Sequence, residues 1–109
     1  MPHLRFRATP IEIVRALSLS LPTELSGIMK TEETNFTFEH EGSQFFVNGE
    51  PSNSFPIVEV HWFARNQEVQ DQSANLITAK LKAYFPKDDI VVIFKEISKL
   101  NYYENGQHF

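Results

Sequence analysis

The chain has 109 residues, 41% of them apolar with ten Phe, no Cys, and a formal net charge of −4. That length supports one hydrophobic core and one domain, and the apolar share is too high for a disordered chain. Absence of cysteine excludes disulfides, thiolate catalysis and cysteine-held metals, while the negative charge argues against nucleic acid, whose phosphates require a basic face. No apolar run reaches membrane-spanning length and no basic-then-apolar leader opens the chain, which predicts a cytoplasmic protein without membrane contact.

Residues 3–7 alternate, Leu4 and Phe6 on one side and His3, Arg5 and Arg7 on the other, the period of a half-buried strand. Thr9-Pro10-Ile11-Glu12 predicts a helix start. Thr9 caps, Pro10 loses nothing by its missing N–H, and Glu12 closes a capping box. Ile13, Val14, Leu17, Leu21, Leu25 and Ile28 follow at helical spacing, with Pro22 expected to kink or split the helix near Leu21. Residues 35–46 read as a second strand, Phe36, Phe38 and His40 opposite Thr37, Glu39 and Glu41. Residues 47–54, with Asn48-Gly49 and Pro51, are the longest turn-rich stretch. A third strand is predicted over 56–63. Asn66 then caps a second helix whose buried stripe is Val69, Ser73, Leu76, Ile77, Leu81 and Tyr84. Phe85-Pro86 ends that helix, and residues 90–97, nearly all apolar, suit a strand covered on both faces.

The layout repeats. Pro2 opens a strand, a helix and a strand, and Pro56 opens the same series again. The predicted fold is therefore α/β (α+β), two β-α-β repeats forming a four-stranded mixed sheet with two helices on one face. Its parts are repeat one at 2–47, repeat two at 56–97 and a tail at 98–109. The other face of the sheet, expected to include Trp62 and Phe94, needs a second cover, which oligomerisation would supply. Order alone also describes the ferredoxin-like fold. About nine residues rich in turn formers part the middle strands, which suits a crossing between two units better than a close hairpin.

Pro2 is the residue of chemical interest. Removal of Met1 would leave a secondary amine, and apolar surroundings would lower its pKa from the ordinary ~7.7–8.0 into the range of a working base. The same nitrogen could attack a carbonyl. As a bare pattern, Met-Pro is merely a common start. Four histidines, at 3, 40, 61 and 108, lack metal-ligand spacing. Lys30 suits a helix end, where cations complement the dipole. Arg65 carries a planar fork suited to carboxylate but could simply flank a strand. Tyr102 and Tyr103 could line a neighbouring pocket or dock the tail against another subunit.

Met1-Pro2-His3-Leu4-Arg5-Phe6, with the proline-led repeat, resembles the tautomerase superfamily, whose members include 4-oxalocrotonate tautomerase (4-OT) and macrophage migration inhibitory factor (MIF). The whole chain, with Tyr102-Tyr103-Glu104-Asn105-Gly106-Gln107-His108-Phe109 at its end, is most similar to an uncharacterised bacterial branch. The resemblance implies a MIF-like fold, a homotrimer, Pro2 as catalytic base, and Lys30, Phe63, Arg65 and Tyr102 around a small keto or enol acid, without metal or organic cofactor. Lys30 matches the lysine that MIF places near its substrate, and His61-Trp62-Phe63-Ala64-Arg65 matches the segment whose backbone lines its pocket. The departures are as specific. Val91 and Ile93 stand where MIF has a pocket tyrosine and asparagine, and the carboxylate-binding arginines of 4-OT have no counterpart unless Arg5, Arg7 or Arg65 substitutes. Three functions follow as expectations: a tautomerase or isomerase of small keto or enol acids, a non-catalytic trimer binding a ligand or protein, and, least favoured by charge, a nucleic-acid binder.

Overall fold

The computed structural model describes all of residues 1–109. Four strands, β1 (Pro2–Arg7), β2 (Thr37–Glu41), β5 (Ile57–Trp62) and β6 (Val91–Glu96), form one mixed sheet in the order β2-β1-β5-β6. Helix α1 (Ile11–Met29) joins the parallel pair β1 and β2, and α2 (Gln67–Lys82) joins the parallel pair β5 and β6. The two units meet at the antiparallel pair β1 and β5. Each parallel pair is adjacent, with no strand inserted between its members. This excludes the ferredoxin-like alternative, whose β-α-β units are split. β2 and β6 are the edges of the sheet.

The period of two explains the core. Pro2, Leu4 and Phe6 on β1 and Val58, Val60 and Trp62 on β5 are fully buried beside Leu21, Leu25, Ile77 and Leu81 of the helices. Trp62 and Phe94 stack with ring centroids 4.7 Å apart. Both belong to this helix-covered side, which corrects the expectation that they face the open side. The alternation of Val58, Val60 and Trp62 with Glu59 and His61 sends the tryptophan inward. The open side is instead charged: β1 and β5 bring Arg5 opposite Glu59 and His3 opposite His61. Strand β6 is not covered on both faces either; Ile93 is 38% exposed because no second layer lies over it. In α2 the predicted stripe holds except at Tyr84, which lies past the helix end and is exposed.

Other local expectations give way to nearby geometry. Helix α1 starts one residue later than read, with Pro10 as N-cap; its carbonyl accepts from Ile13 and Val14, while the Thr9 hydroxyl turns back to Arg7 O at 3.1 Å. Pro22 does not split α1, which runs unbroken to Met29 with Leu17, Leu21 and Leu25 buried on one line. Burial of that line on both sides of the proline outweighs the one hydrogen bond it removes. The strand read over 35–46 ends at Glu41. Its last residues and the stretch read as turn-rich together form a hairpin of β3 (Phe45–Val47) and β4 (Glu50–Ser52), turned at Asn48 (φ 53) and Gly49 (φ 79). A second hairpin, β7 (Tyr103–Glu104) and β8 (Gln107–His108), turns at Asn105 (φ 55) and Gly106 (φ 84). Both are the Asn-Gly turns that right-twisted hairpins favour. Asn66 caps α2 as predicted, its Oδ1 accepting from Val69 N at 2.9 Å. No helix is long and apolar enough to cross a membrane.

Candidate functional site at the chain start

Pro2 begins β1 opposite Trp62, with its ring fully buried. The nitrogen preceding it, the Met1 amine, is held below its ordinary value, chiefly by burial and then by the charge of Arg65, while Glu104 acts in the opposite direction. Arg65 is fixed at this point by three contacts. Its Nε donates to Met29 O at 3.1 Å, its Nη1 donates to Phe63 O at 2.7 Å, and its guanidinium carbon lies 5.1 Å from the centre of the Trp62 ring. The end of α1, the end of β5 and the core tryptophan are thus tied by one cation. Burial lowers the pKa of that guanidinium, which stays charged at neutral pH.

Beside Arg65 lies an aromatic triad. Phe63, Tyr102 and Phe109 have ring centroids 5.1 to 5.5 Å apart, two of the pairs edge to face. The tail is held there by the Phe109 N–H, which reaches Lys99 O and Tyr102 O at 3.2 Å each. A cavity of about 300 Å³ opens between the chain start and the tail, walled by Met1, Thr34, Thr37, Tyr102, Glu104 and Phe109. Of the residues singled out from sequence, Tyr102 alone is a wall of this cavity; Phe63 meets Tyr102 edge to face and Arg65 bonds to Phe63 O, both outside the lining. Lys30 is not a wall of the cavity: it is exposed, in the left-handed conformation (φ 57) that caps α1, its N–H donating to Ser26 O. Sequence reading passed over Glu104 and Phe109, although Asn105-Gly106 between aromatic-flanked pairs was a readable turn signal.

Arg5 and Arg7 are engaged elsewhere. On the open side the Glu59 carboxylate, 8% exposed, receives Arg7 Nη2 at 2.7 Å, His61 Nε2 at 3.2 Å and Lys95 Nζ at 3.5 Å, with Arg5 Nη1 at 3.9 Å. Burial acts to raise the Glu59 pKa, but the His61 hydrogen bond and the charges of Lys95 and Arg7 overcome it and hold it below the usual range. Glu39 is likewise lowered, by hydrogen bonds from His3 at 2.7 Å and Arg5 at 3.2 Å. No group of three or more His, Asp or Glu side chains is placed to hold a metal ion. A larger cavity, about 470 Å³, sits at the far end of β1 between Thr9, Phe45, Ser54 and Pro56. It contains neither amine nor cation, so size alone does not locate the chemistry.

Two adjacent β-α-β units, a proline-led first strand and helices on one face define a protein of the tautomerase-superfamily fold. The chain belongs to the DUF1904 family, a domain of unknown function, whose pattern covers residues 1–108. A DUF1904 protein from Sebaldella termitidis is 34% identical and superposes over 100% of both chains with a TM-score of 0.95. An MIF-like protein from Entamoeba histolytica is 14% identical, with 99% of this chain and 98% of that one covered and a TM-score of 0.75. A fused 4-OT described as an asymmetric trimer is 13% identical, with 97% and 94% covered and a TM-score of 0.77. The last two likenesses show the fold alone. No match is found among curated proteins.

Proposed function

We propose that the protein is a cofactor-independent tautomerase or isomerase of small α-keto or enol acids, with the Pro2 nitrogen, freed of Met1, as its base. The observation that carries the reading is the chain start itself. The Met1 amine, one residue ahead of the proline nitrogen, adjoins a cavity and is kept less basic than usual by burial and then by the charge of Arg65. Met1 is one wall of that cavity, so its removal would vacate space beside the proline nitrogen. In the proposed cycle that nitrogen takes a proton from a carbon next to the substrate carbonyl and returns it at another carbon. Arg65 keeps Nη2 free of its two backbone bonds and would hold the carboxylate and steady the developing enolate. Phe63 and Tyr102 would line the apolar end of the substrate, and Lys30 would contribute from the rim. We assign the mature form to a cytoplasmic homotrimer by analogy with the trimeric fused 4-OT, which also suits the exposed Ile93 on β6.

Met-free protein should ketonise phenylpyruvate or 2-hydroxymuconate, with kcat/KM rising as the amine loses its proton and the acidic limb lying below the ordinary amine value. Pro2→Ala should lower that rate at least a hundredfold. Equal rates in the two proteins would overturn the reading. Val91, Ile93 and the engagement of Arg5 and Arg7 with glutamates favour a second reading, a trimer that binds a ligand or protein without turnover. Intact-mass measurement of the untagged protein separates the two: a retained Met1 selects the second.

A further inference from the structure

On the open side of the sheet, at the end nearest the chain start, a hydroxyl, an imidazole and a carboxylate are hydrogen-bonded in a row. The parallel register sets His3 of β1 beside Thr37 of β2, and Glu39 follows two residues along on the same face. His3 Nδ1 lies 2.6 Å from Thr37 Oγ1, and His3 Nε2 lies 2.7 Å from Glu39 Oε1. Thr37 is also a wall of the cavity of about 300 Å³, on an edge strand that no further strand covers. We propose that Thr37, His3 and Glu39 are the nucleophile, base and orienting carboxylate of an acyl-transfer site that hydrolyses small, apolar carboxylic esters.

The polarity of the row follows from Glu39. Hydrogen bonds from His3 and then Arg5 hold its carboxyl below the usual range, so at neutral pH it is ionised and only accepts. His3 Nε2 therefore carries a proton, and in the neutral imidazole Nδ1 is left to accept from the Thr37 hydroxyl. That is the order of a hydroxyl-imidazole-carboxylate triad, with the two ring nitrogens exchanged relative to the serine proteases. Thr37 Oγ1 bonds to the ester carbonyl carbon as its proton passes to Nδ1. The carbon–oxygen bond to the leaving group then breaks, and Nδ1 returns the proton to the departing alkoxide. Water attacks the acyl-threonine, its proton passing through Nδ1 to Oγ1, so that one ester and one water become one acid and one alcohol. Asn35, another wall of the cavity, offers the oxyanion a donor. Its Nδ2 directs one N–H to Thr31 Oγ1 at 2.8 Å and keeps the second free. The rings of Tyr102 and Phe109 suit an apolar acyl or aryl group, and the volume limits the substrate to a small one. None of these groups is the chain-start amine, so the site stands apart from the Pro2 chemistry.

Hydrolysis of para-nitrophenyl acetate by the full chain tests this. Thr37→Val keeps a branched strand residue without the hydroxyl; it and His3→Gln should each lower kcat/KM by about a hundredfold. Thr37→Ser, which keeps a nucleophile, should retain turnover. Glu39→Gln should lower the rate and move its acidic limb to lower pH, because the imidazole loses its anionic partner. The other groups facing that imidazole and carboxylate are unchanged in the comparison: His61, with ring centroids 6.0 Å apart, and Arg5, on Glu39 Oε1 at 3.2 Å. Wild-type protein quenched in acid during turnover, then digested and weighed, should carry acetyl on Thr37. Acetyl confined to the chain-start amine, or a wild-type rate in Thr37→Val or His3→Gln, would overturn the proposal. Ketonisation of phenylpyruvate by the same samples keeps the two sites distinct. A protein inert in that assay but acetylated at Thr37 refutes only the Pro2 chemistry, and the converse refutes only the triad.

Discussion

Glu59 is the most constrained ionisable residue in the molecule. It is buried and within 4.0 Å of Arg5, Arg7, His61 and Lys95. Replacing it by Gln leaves several cations crowded around a neutral group and should cost about 2–3 kcal/mol at pH 7. Because its folded pKa is depressed, the stabilisation is present above the unfolded carboxylate pKa of about 4 and lost as pH falls through the folded value. Urea midpoints of wild type and Glu59→Gln should therefore draw together as pH falls below the ordinary carboxylate range of about 4; a gap that stays constant on acidification would contradict this account. The residue was readable in part. Val58, Glu59, Val60, His61 and Trp62 alternate in the sequence, which places Glu59 with Arg5 and Arg7 once β1 and β5 are known to pair. That pairing links residues far apart in the chain and no local signal supplies it, which is why the side of the sheet that Trp62 takes is not legible in the sequence.

Among the elements, the helices were the most legible, since their stripes repeat over several turns. Pro22 shows where a local rule yields. The proline removes one backbone donor in mid-helix, yet α1 stays whole because Leu17, Leu21 and Leu25 are all locked into the core. Pro22→Ala restores that donor and should raise stability by about 1–2 kcal/mol, partly offset by the greater freedom of the unfolded chain. A denaturation midpoint equal to or below that of wild type would show that the ring itself packs usefully. The hairpins were the least legible elements. Asn48-Gly49 is legible as a turn, but the short strands on either side of it are not, and the tail, where the sequence suggests only that Tyr102 and Tyr103 line a pocket or dock against another subunit, forms a hairpin. Strands of two or three residues carry too few alternations to stand out from their surroundings.

At the level of the whole molecule, the repeat in the sequence conveyed element order, while the adjacency that separates this architecture from a ferredoxin-like one is visible only in the sheet. The helix-covered side satisfies its apolar residues within one chain. The opposite side is lined with ion pairs, so apolar surface alone does not demand a partner there. The proposed homotrimer then depends chiefly on edges. Sedimentation equilibrium at micromolar concentration should give three times the chain mass of 12.6 kDa, and a monomer across that range would refute it.

β2 pairs with β1 alone and β6 with β5 alone, so each copy has unused backbone donors and acceptors at both ends of its sheet. Two unlike ends are the connectors of a head-to-tail contact. Whether such contacts make a ring or a filament depends on the angle between successive copies rather than on the strength of each junction. A substitution that tilted β6 by a few degrees could leave every single chain intact and still turn a finite particle into an endless one.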